Sequence, residues 1–292
     1  MTGPVLVTGA GGQLGRELVR VFGAAGHAGQ GAGPVVGLTR AELDVSDGAA
    51  VHAAVATHRP GLVVNCAAWT DVDGCELDPE LAHRVNAAAP GFLREACDDV
   101  GAHLVQISTD YVFDGEASTP YPEDHPTGPV NVYGASKLAG EVAAGPAATV
   151  VRTTWLQPAD GPGAVGNMLD GLRGDSPVKV LGDRRACPTF VADLAPVISR
   201  LGVERVAGVV HATNAGETSW YEFALVVAEV AGADPELVVR IVEADLGTAR
   251  PARRPCFSAL DNVGLRDLGY EPMRHHRDAI VDAVARLAGR EA

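Results

Sequence analysis

The sequence predicts an α/β fold in which a parallel sheet carries helices on both faces. Three observations predict it. Apolar, β-branched runs recur along the first two thirds of the chain at intervals that leave room for a helix between them. The first run passes through closely spaced glycines straight into a helical pattern, and a tyrosine and a lysine stand one helical turn apart further on.

The elements follow in order. Val5-Leu6-Val7 reads as a strand, Thr8-Gly9-Ala10-Gly11-Gly12-Gln13-Leu14-Gly15 as a turn, and Arg16 to Phe22 as a helix with apolar residues at helical spacing. Glycines at 9, 12 and 15 let the backbone approach a pyrophosphate at the helix N-terminus. The glycine-rich stretch from Gly23 to Gly33 reads as a long turn leading to a strand at Val35–Leu38. The next helix is expected to start near Ser46, which can cap it, and to end near His58 before Pro60. Further strands are expected at Leu62–Asn65, Leu104–Ser108 and Thr149–Thr153, and Val209–Ala212 is expected to return to the same sheet. Runs so uniformly apolar belong to strands buried on both faces.

Beyond Thr153 the rhythm breaks. Residues 157–166 read as a Pro/Gly-rich loop, followed by a short helix, a strand at Val178–Leu181, and helices from about Phe190 to Leu201, from Ser219 to Ala231 and through Ala279 to Leu287. The whole is a Rossmann-type doubly wound parallel sheet, residues 1–153, with a smaller C-terminal α/β substrate domain, residues 154–292. The tail must fold over the carboxyl edge of the sheet to close a site.

A length of 292 residues is ample for such a core. No apolar stretch approaches the roughly 20 residues of a membrane span, and no charged leader precedes an apolar core, so a cytoplasmic protein is expected. The five cysteines lack Cys-x-x-Cys spacing and read as reduced, mostly buried thiols. His275-His276 lies in an arginine-flanked segment and reads as solvated helix surface; no metal site is assigned. A net charge of −14 argues against a nucleic-acid partner, which would need a basic stripe. A small anion needs only a local cluster, and Arg250, Arg253 and Arg254 provide one, the last two between prolines.

The Tyr-x-x-x-Lys pair is Tyr133 and Lys137. With five tyrosines and two lysines in the chain, chance supplies such a pair only about 0.03 of the time. On one helix face the ammonium can stabilise a tyrosinate and draw the phenol below its ordinary value of about 10. A phenol so tuned exchanges a proton with a carbonyl or hydroxyl. At the end of the second strand, Leu38-Thr39-Arg40 lacks the carboxylate that NAD enzymes usually offer to the ribose. Arg40 beside a hydroxyl suits a 2′-phosphate, so NADPH is expected, with NADH as the alternative.

The glycine turn followed by Tyr-x-x-x-Lys resembles the extended short-chain dehydrogenase/reductase superfamily. Further segments sharpen this: Val64 to Asp73 (VNCAAWTDVD), Ser108 to Gly115 (STDYVFDG), Asn131 to Glu141 (NVYGASKLAGE) and Ala252-Arg253-Arg254-Pro255. Together they resemble the dTDP-4-dehydrorhamnose reductase family over most of the chain. The resemblance implies reduction of the 4-keto group of dTDP-4-dehydro-L-rhamnose by a reduced nicotinamide. It implies that Thr109 bonds the carbonyl oxygen, Tyr133 donates the proton, and Lys137 supports the tyrosinate and holds the nicotinamide ribose. Cofactor contacts carry over to Gly9, Gly12, Gln13 and Leu14 in the turn, Asp44 and Val45 near the adenine, and Cys66, Ala67 and Ala68 after the third strand. Substrate contacts carry over to Thr109, Asp110 and Trp155, with Arg253 and Arg254 toward the phosphates. A homodimer is one assembly the resemblance allows.

Two segments depart from the family pattern. Leu156 to Gly161 lacks the usual aromatic and glycine/asparagine-rich loop, and Asp183-Arg184-Arg185-Ala186-Cys187 replaces a stretch that usually holds a glutamine, an aromatic and small residues. Both border the expected sugar pocket and leave the exact substrate open. Glu17 sits on a helix where some members hold a metal at a dimer contact, but Phe190-Val191-Ala192 supplies no partner acid. The alternatives are a 4-ketoreductase or dihydrostreptose-type synthase acting on another dTDP-deoxysugar, and a regulatory subunit that binds dinucleotide without turnover.

Overall fold

The computed structural model describes residues 3–27, 33–159, 161, 163–174, 176–246 and 250–288. Among the described residues, six parallel strands form the central sheet. These are β1 (Val5–Thr8), β2 (Val35–Leu38), β3 (Leu62–Asn65), β4 (His103–Thr109), β5 (Thr149–Thr153) and a returning strand, Gly208–His211. The order is β2-β1-β3-β4-β5 and then the returning strand, which pairs in parallel with β5. The chain leaves β1 for one side and crosses back to β3 on the other. The carboxyl ends of β1 and β3 therefore diverge at a topological switch point, where open α/β sheets bind ligands.

Side-chain alternation divides the core into two layers, as the strand period of two requires. Val5, Val7, Leu62, Val64, Val105 and Ile107 pack with α1 (Gln13–His27) and the helix Val191–Val203 on one face. Leu6, Val63 and Leu104 pack on the other with α2 (Gly48–His58) and, after the short helices α3 (Val72–Leu77) and α4 (Pro79–His83), with α5 (Ala89–Val100). Each such side chain, once fully buried, contributes about 1.5–3 kcal/mol. A separate apolar cluster, centred on Met168, Phe190, Phe223, Val227 and Ile280, holds the C-terminal elements together.

The boundaries of several elements differ from the sequence expectation. Helix α1 runs on to His27, so the expected turn from Gly23 begins later, and residues 28–32 lie outside the described residues. Asp47, not Ser46, caps α2, accepting from the amides of Ala49 and Ala50. Ser46 instead donates its hydroxyl to Asp44. Within the expected 157–166 loop, Leu156–Gln157 pairs with Thr189–Phe190 and a helix starts at Gly163. Ser219 caps the helix Trp220–Ala231 through a full capping box with Glu222. Of the histidine pair, His275 is exposed but His276 is buried, its Nδ1 lying 3.2 Å from the Ala215 carbonyl. The helix face expected to be solvated is thus half core.

The turn after β1 needs its glycines. Gly9 has φ +65°, and a Cβ there would lie 2.7 Å from the Ala67 nitrogen after β3. A Cβ on Gly15 would strike the Gly9 carbonyl, because the start of α1 lies directly on the turn.

Candidate active site

A hydrogen-bonded line ties the strand ends together. Thr8 Oγ1 donates to Asn65 Oδ1 (2.6 Å), and Asn65 Nδ2 donates to Gln106 Oε1 (2.7 Å). Two adjoining cavities open above this line. One, of about 280 Å³, is lined by Gly9, Gly12, Arg40, Asp44, Val45, Cys66, Ala67 and Ala68. The other, of about 580 Å³, is lined by Gln13, Leu14, Thr109, Asp110, Tyr133, Lys137 and Trp155. Gly12, Cys66 and Ala68 belong to both, so the two chambers form one continuous groove across the switch point. The expected catalytic and cofactor residues are thereby brought together.

Tyr133 and Lys137 are carried by α6 (Val132–Ala144), capped by Asn131, whose Oδ1 accepts from the Gly134 amide (2.8 Å). Asn131 also donates to the Arg253 carbonyl (2.7 Å), tying this helix start to the 250–255 loop. Tyr133 and Lys137 stand one turn apart, and the Tyr133 ring meets Tyr111 edge-on at 5.7 Å. Lys137 is 4% exposed, and its Nζ donates to the Ile107 carbonyl (2.6 Å) at the end of β4. Burial lowers the ammonium to about 8, against the pull of the Glu141 carboxylate. Burial also pushes the Tyr133 phenol above its ordinary range, opposed by the Thr109 hydroxyl. The lowered phenol expected from the Lys137 spacing is therefore corrected: in the protein alone, desolvation outweighs the neighbouring charge.

Thr109, the last residue of β4, donates its hydroxyl to Asp110 Oδ1 (2.9 Å), and Thr154 donates to Asp110 Oδ2 (2.9 Å). Asp110 is fully buried, and desolvation raises it to about 6 despite these hydrogen bonds. Its carboxyl takes up a proton on folding between about 3.8 and 6, so its charge weighs against the folded state above pH 6 and not below about 4. Asp110→Asn is accordingly expected to raise stability by roughly 1–3 kcal/mol at pH 7.5, with the gain vanishing near pH 4. Thermal unfolding of both proteins across this range would check it, and an undiminished gain at pH 4 would count against the raised carboxyl.

Two positioning features were missed by sequence reasoning. A π-helical turn, Arg84–Ala88, aims Asn86 inward, as such turns often do at functional sites. Asn86 accepts from the Trp69 amide (2.9 Å) and donates to the Trp69 carbonyl (3.0 Å) and Ser136 Oγ (3.1 Å), locking the loop after β3 to α6. The second is a buried ion pair. Glu141, one turn beyond Lys137, receives both Arg152 Nε (2.9 Å) and Nη2 (2.7 Å), and Ser108 Oγ donates to it. That pair joins α6 to β4 and β5, and no local spacing signals it.

Among the expected phosphate partners, Arg254 borders a smaller chamber that shares Tyr111 and Trp155 with the main cavity, and its guanidinium pairs with Asp73 (2.5 Å). Arg253 is exposed and lines none of these chambers; Arg250 lines the small one in its place. Thr39, the hydroxyl neighbour of Arg40, has its hydroxyl and amide both committed to Glu42 (2.8 and 2.9 Å). A carboxylate thus stands near the end of β2 although Leu38-Thr39-Arg40 contains none.

The family of the RmlD substrate-binding domain matches residues 2–288. A dTDP-4-dehydrorhamnose reductase from Streptomyces griseus is 46% identical, covering 98% of this chain and 94% of its own. The chain belongs to the dTDP-4-dehydrorhamnose reductase family. A probable dTDP-4,6-dihydroxy-2-methyloxan-3-one 4-ketoreductase from Streptomyces antibioticus is 44% identical over 95% of this chain and 93% of its own. The crystal structure of dTDP-4-dehydrorhamnose reductase from Bacillus anthracis in complex with NADP superposes with a TM-score of 0.87 at 32% identity, over 96% of this chain and 98% of that one. The Rossmann-type fold expected from the sequence is the fold of this family.

Proposed function

We propose that the protein reduces the 4-keto group of dTDP-4-dehydro-L-rhamnose to dTDP-L-rhamnose with NADPH. The observation that carries this is the gathering of Thr109, Tyr133 and Lys137 at the carboxyl edge of the sheet, in a chamber continuous with the glycine-turn groove. The groove fits a dinucleotide: Gly9, Gly11 and Gly12 line it without side chains, and the Thr153 hydroxyl is buried at its edge with no hydrogen-bond partner among the described residues. Gly9, Gly12, Gln13 and Leu14 would hold the pyrophosphate, Asp44, Val45, Cys66, Ala67 and Ala68 the adenosine side, and Tyr133 and Lys137 the nicotinamide ribose. Bound there, the reduced nicotinamide supplies the hydride.

The protein's own part is proton transfer and placement. Tyr133 donates to the carbonyl oxygen, and Lys137, fixed on the Ile107 carbonyl, meets the tyrosinate with positive charge. Thr109, Asp110 and Trp155 border the sugar, and Arg254 lies toward the phosphates. We assign the dinucleotide to residues 1–153 with the returning strand, and the substrate mainly to residues 154–292. Incubation with NADPH and a panel of dTDP-4-keto sugars, with the products identified, tests the proposal; turnover of none of them would remove it. A second reading, reduction of another dTDP-deoxysugar, is supported by the departure from the family pattern that begins at Leu156, a residue lining the chamber of Tyr133. The enzyme is read as cytoplasmic, like its nucleotide substrates, and as a homodimer that sedimentation would test.

Two expected results arise here. Arg40→Ala should weaken NADPH alone, by about one to two decades, the value of a charge-assisted hydrogen bond. Equal wild-type affinity for NADPH and NADH would show that Glu42, rather than Arg40, governs the ribose. Arg254→Ala should raise KM for the dTDP-sugar strongly, while Arg253→Ala should change it little; equal effects would mean that the loop acts through its net charge.

A further inference from the structure

The arginine that departs from the family pattern at position 184 has an unusual environment. Its side chain is 10% exposed, and Nη2 donates to Glu243. Its Nε and Nη1 are buried with no hydrogen-bond partner among the described residues. That leaves three N–H bonds of a planar fork without a protein acceptor among the described residues. The fork lines the small chamber, about 80 Å³, together with Tyr111, Trp155, Arg250 and Arg254.

The backbone around it is fixed. The Arg185 amide donates to the Cys256 carbonyl (2.9 Å), the Ser258 amide donates to the Arg185 carbonyl (2.8 Å), and Arg185–Ala186 pairs with Thr218–Ser219. Asp183 Oδ2 accepts from the Glu243 amide (2.7 Å) on the other side. The direction of the Arg184 side chain is therefore set before any ligand arrives. The acids that pair with these arginines, Glu243 and Asp73, are not in the chamber lining, which presents guanidinium groups and aromatic faces. A diphosphate, two singly charged tetrahedral groups with several acceptor oxygens, matches this lining better than a neutral sugar does.

We propose that Arg184 is the buried anchor of the substrate's diphosphate, its Nε–H and Nη1–H donating to phosphate oxygens of the nucleoside diphosphate-sugar. This rests on the dTDP-sugar reading above and adds the residue that fixes the phosphates. The chamber shares Tyr111 and Trp155 with the cavity of Tyr133, so a diphosphate held by Arg184 leaves its hexose on the catalytic side.

The test is calorimetric titration of dTDP and of thymidine into wild type, Arg184→Gln combined with Glu243→Gln, and Arg184→Lys. The paired glutamines avoid leaving a carboxylate at the chamber without its partner. Both variants should bind dTDP about 10- to 100-fold more weakly, with thymidine and NADPH affinities unchanged, and KM should rise while kcat at saturation changes by a few-fold at most. Wild-type dTDP affinity in either variant, or no binding of dTDP by the wild type, would overturn the anchor. The two readings fail separately. Arg184-dependent dTDP binding without any ketone reduction would sink the reaction and keep the anchor, whereas normal reduction with Arg184-independent dTDP binding would do the reverse.

Discussion

Tyr133→Phe should cut kcat by about 100- to 10,000-fold, the usual contribution of a positioned general acid, while NADPH still binds. The substitution removes one oxygen and keeps the ring that packs edge-on against Tyr111. The neighbouring hydroxyl cannot easily replace it, because the Thr109 proton is already given to Asp110. Loss of turnover measured by NADPH oxidation, with NADPH affinity falling far less than turnover, is the expected pair of results. A variant that keeps most of its turnover would exclude Tyr133 as the proton donor.

Lys137→Met should lower turnover to a similar extent and weaken NADPH, yet make the unliganded fold more stable near neutral pH. The lysine has a folded value of about 8 against 10.5 unfolded. Between these values the unfolded chain binds more protons, so wild-type stability rises with pH across that window. The cost of the buried charge is therefore fully present below pH 8. It amounts to about 3 kcal/mol at most, and the lost bond to the Ile107 carbonyl offsets about 1–3 kcal/mol of the gain. The decisive quantity is the slope. The stability advantage of the methionine variant should shrink as the pH climbs from 7.5 toward 10, and a constant difference would show that Lys137 is not held as a depressed ammonium.

What the sequence made legible was what neighbours in the chain dictate. Strands β2, β3 and β5 lie where their apolar runs placed them, and Tyr133 and Lys137 share a helix because four residues are one turn. The glycine turn was legible because strand, turn and helix follow without a gap. What stayed hidden depends on contacts between distant segments. Arg254 meets Asp73 across 181 residues, and Asn86 reaches Ser136 across 50. The rise of the Tyr133 phenol was hidden for a related reason: its cause is burial by the whole fold, and the lysine spacing reports only one neighbour. Arg253 and Arg254 were expected together toward the phosphates, and the path of the loop over Asn131 separated them, leaving Arg253 exposed.

The rings of Trp155 and Trp220 stack at 4.1 Å and 11°, with Trp155 held at φ +43°. Both indoles line the small chamber, and Trp69, the remaining tryptophan of the chain, lines the glycine-turn groove with Arg40 and Asp44. Two stacked indoles in contact couple their strong far-ultraviolet transitions, so the native protein is expected to show a split circular dichroism band there. Any occupant that shifts one indole against the other should alter that couplet, whereas a dinucleotide alone should act on the emission of Trp69. The molecule thus carries separate optical reporters for its two ligands, and the order in which they bind can be followed by stopped flow without a label.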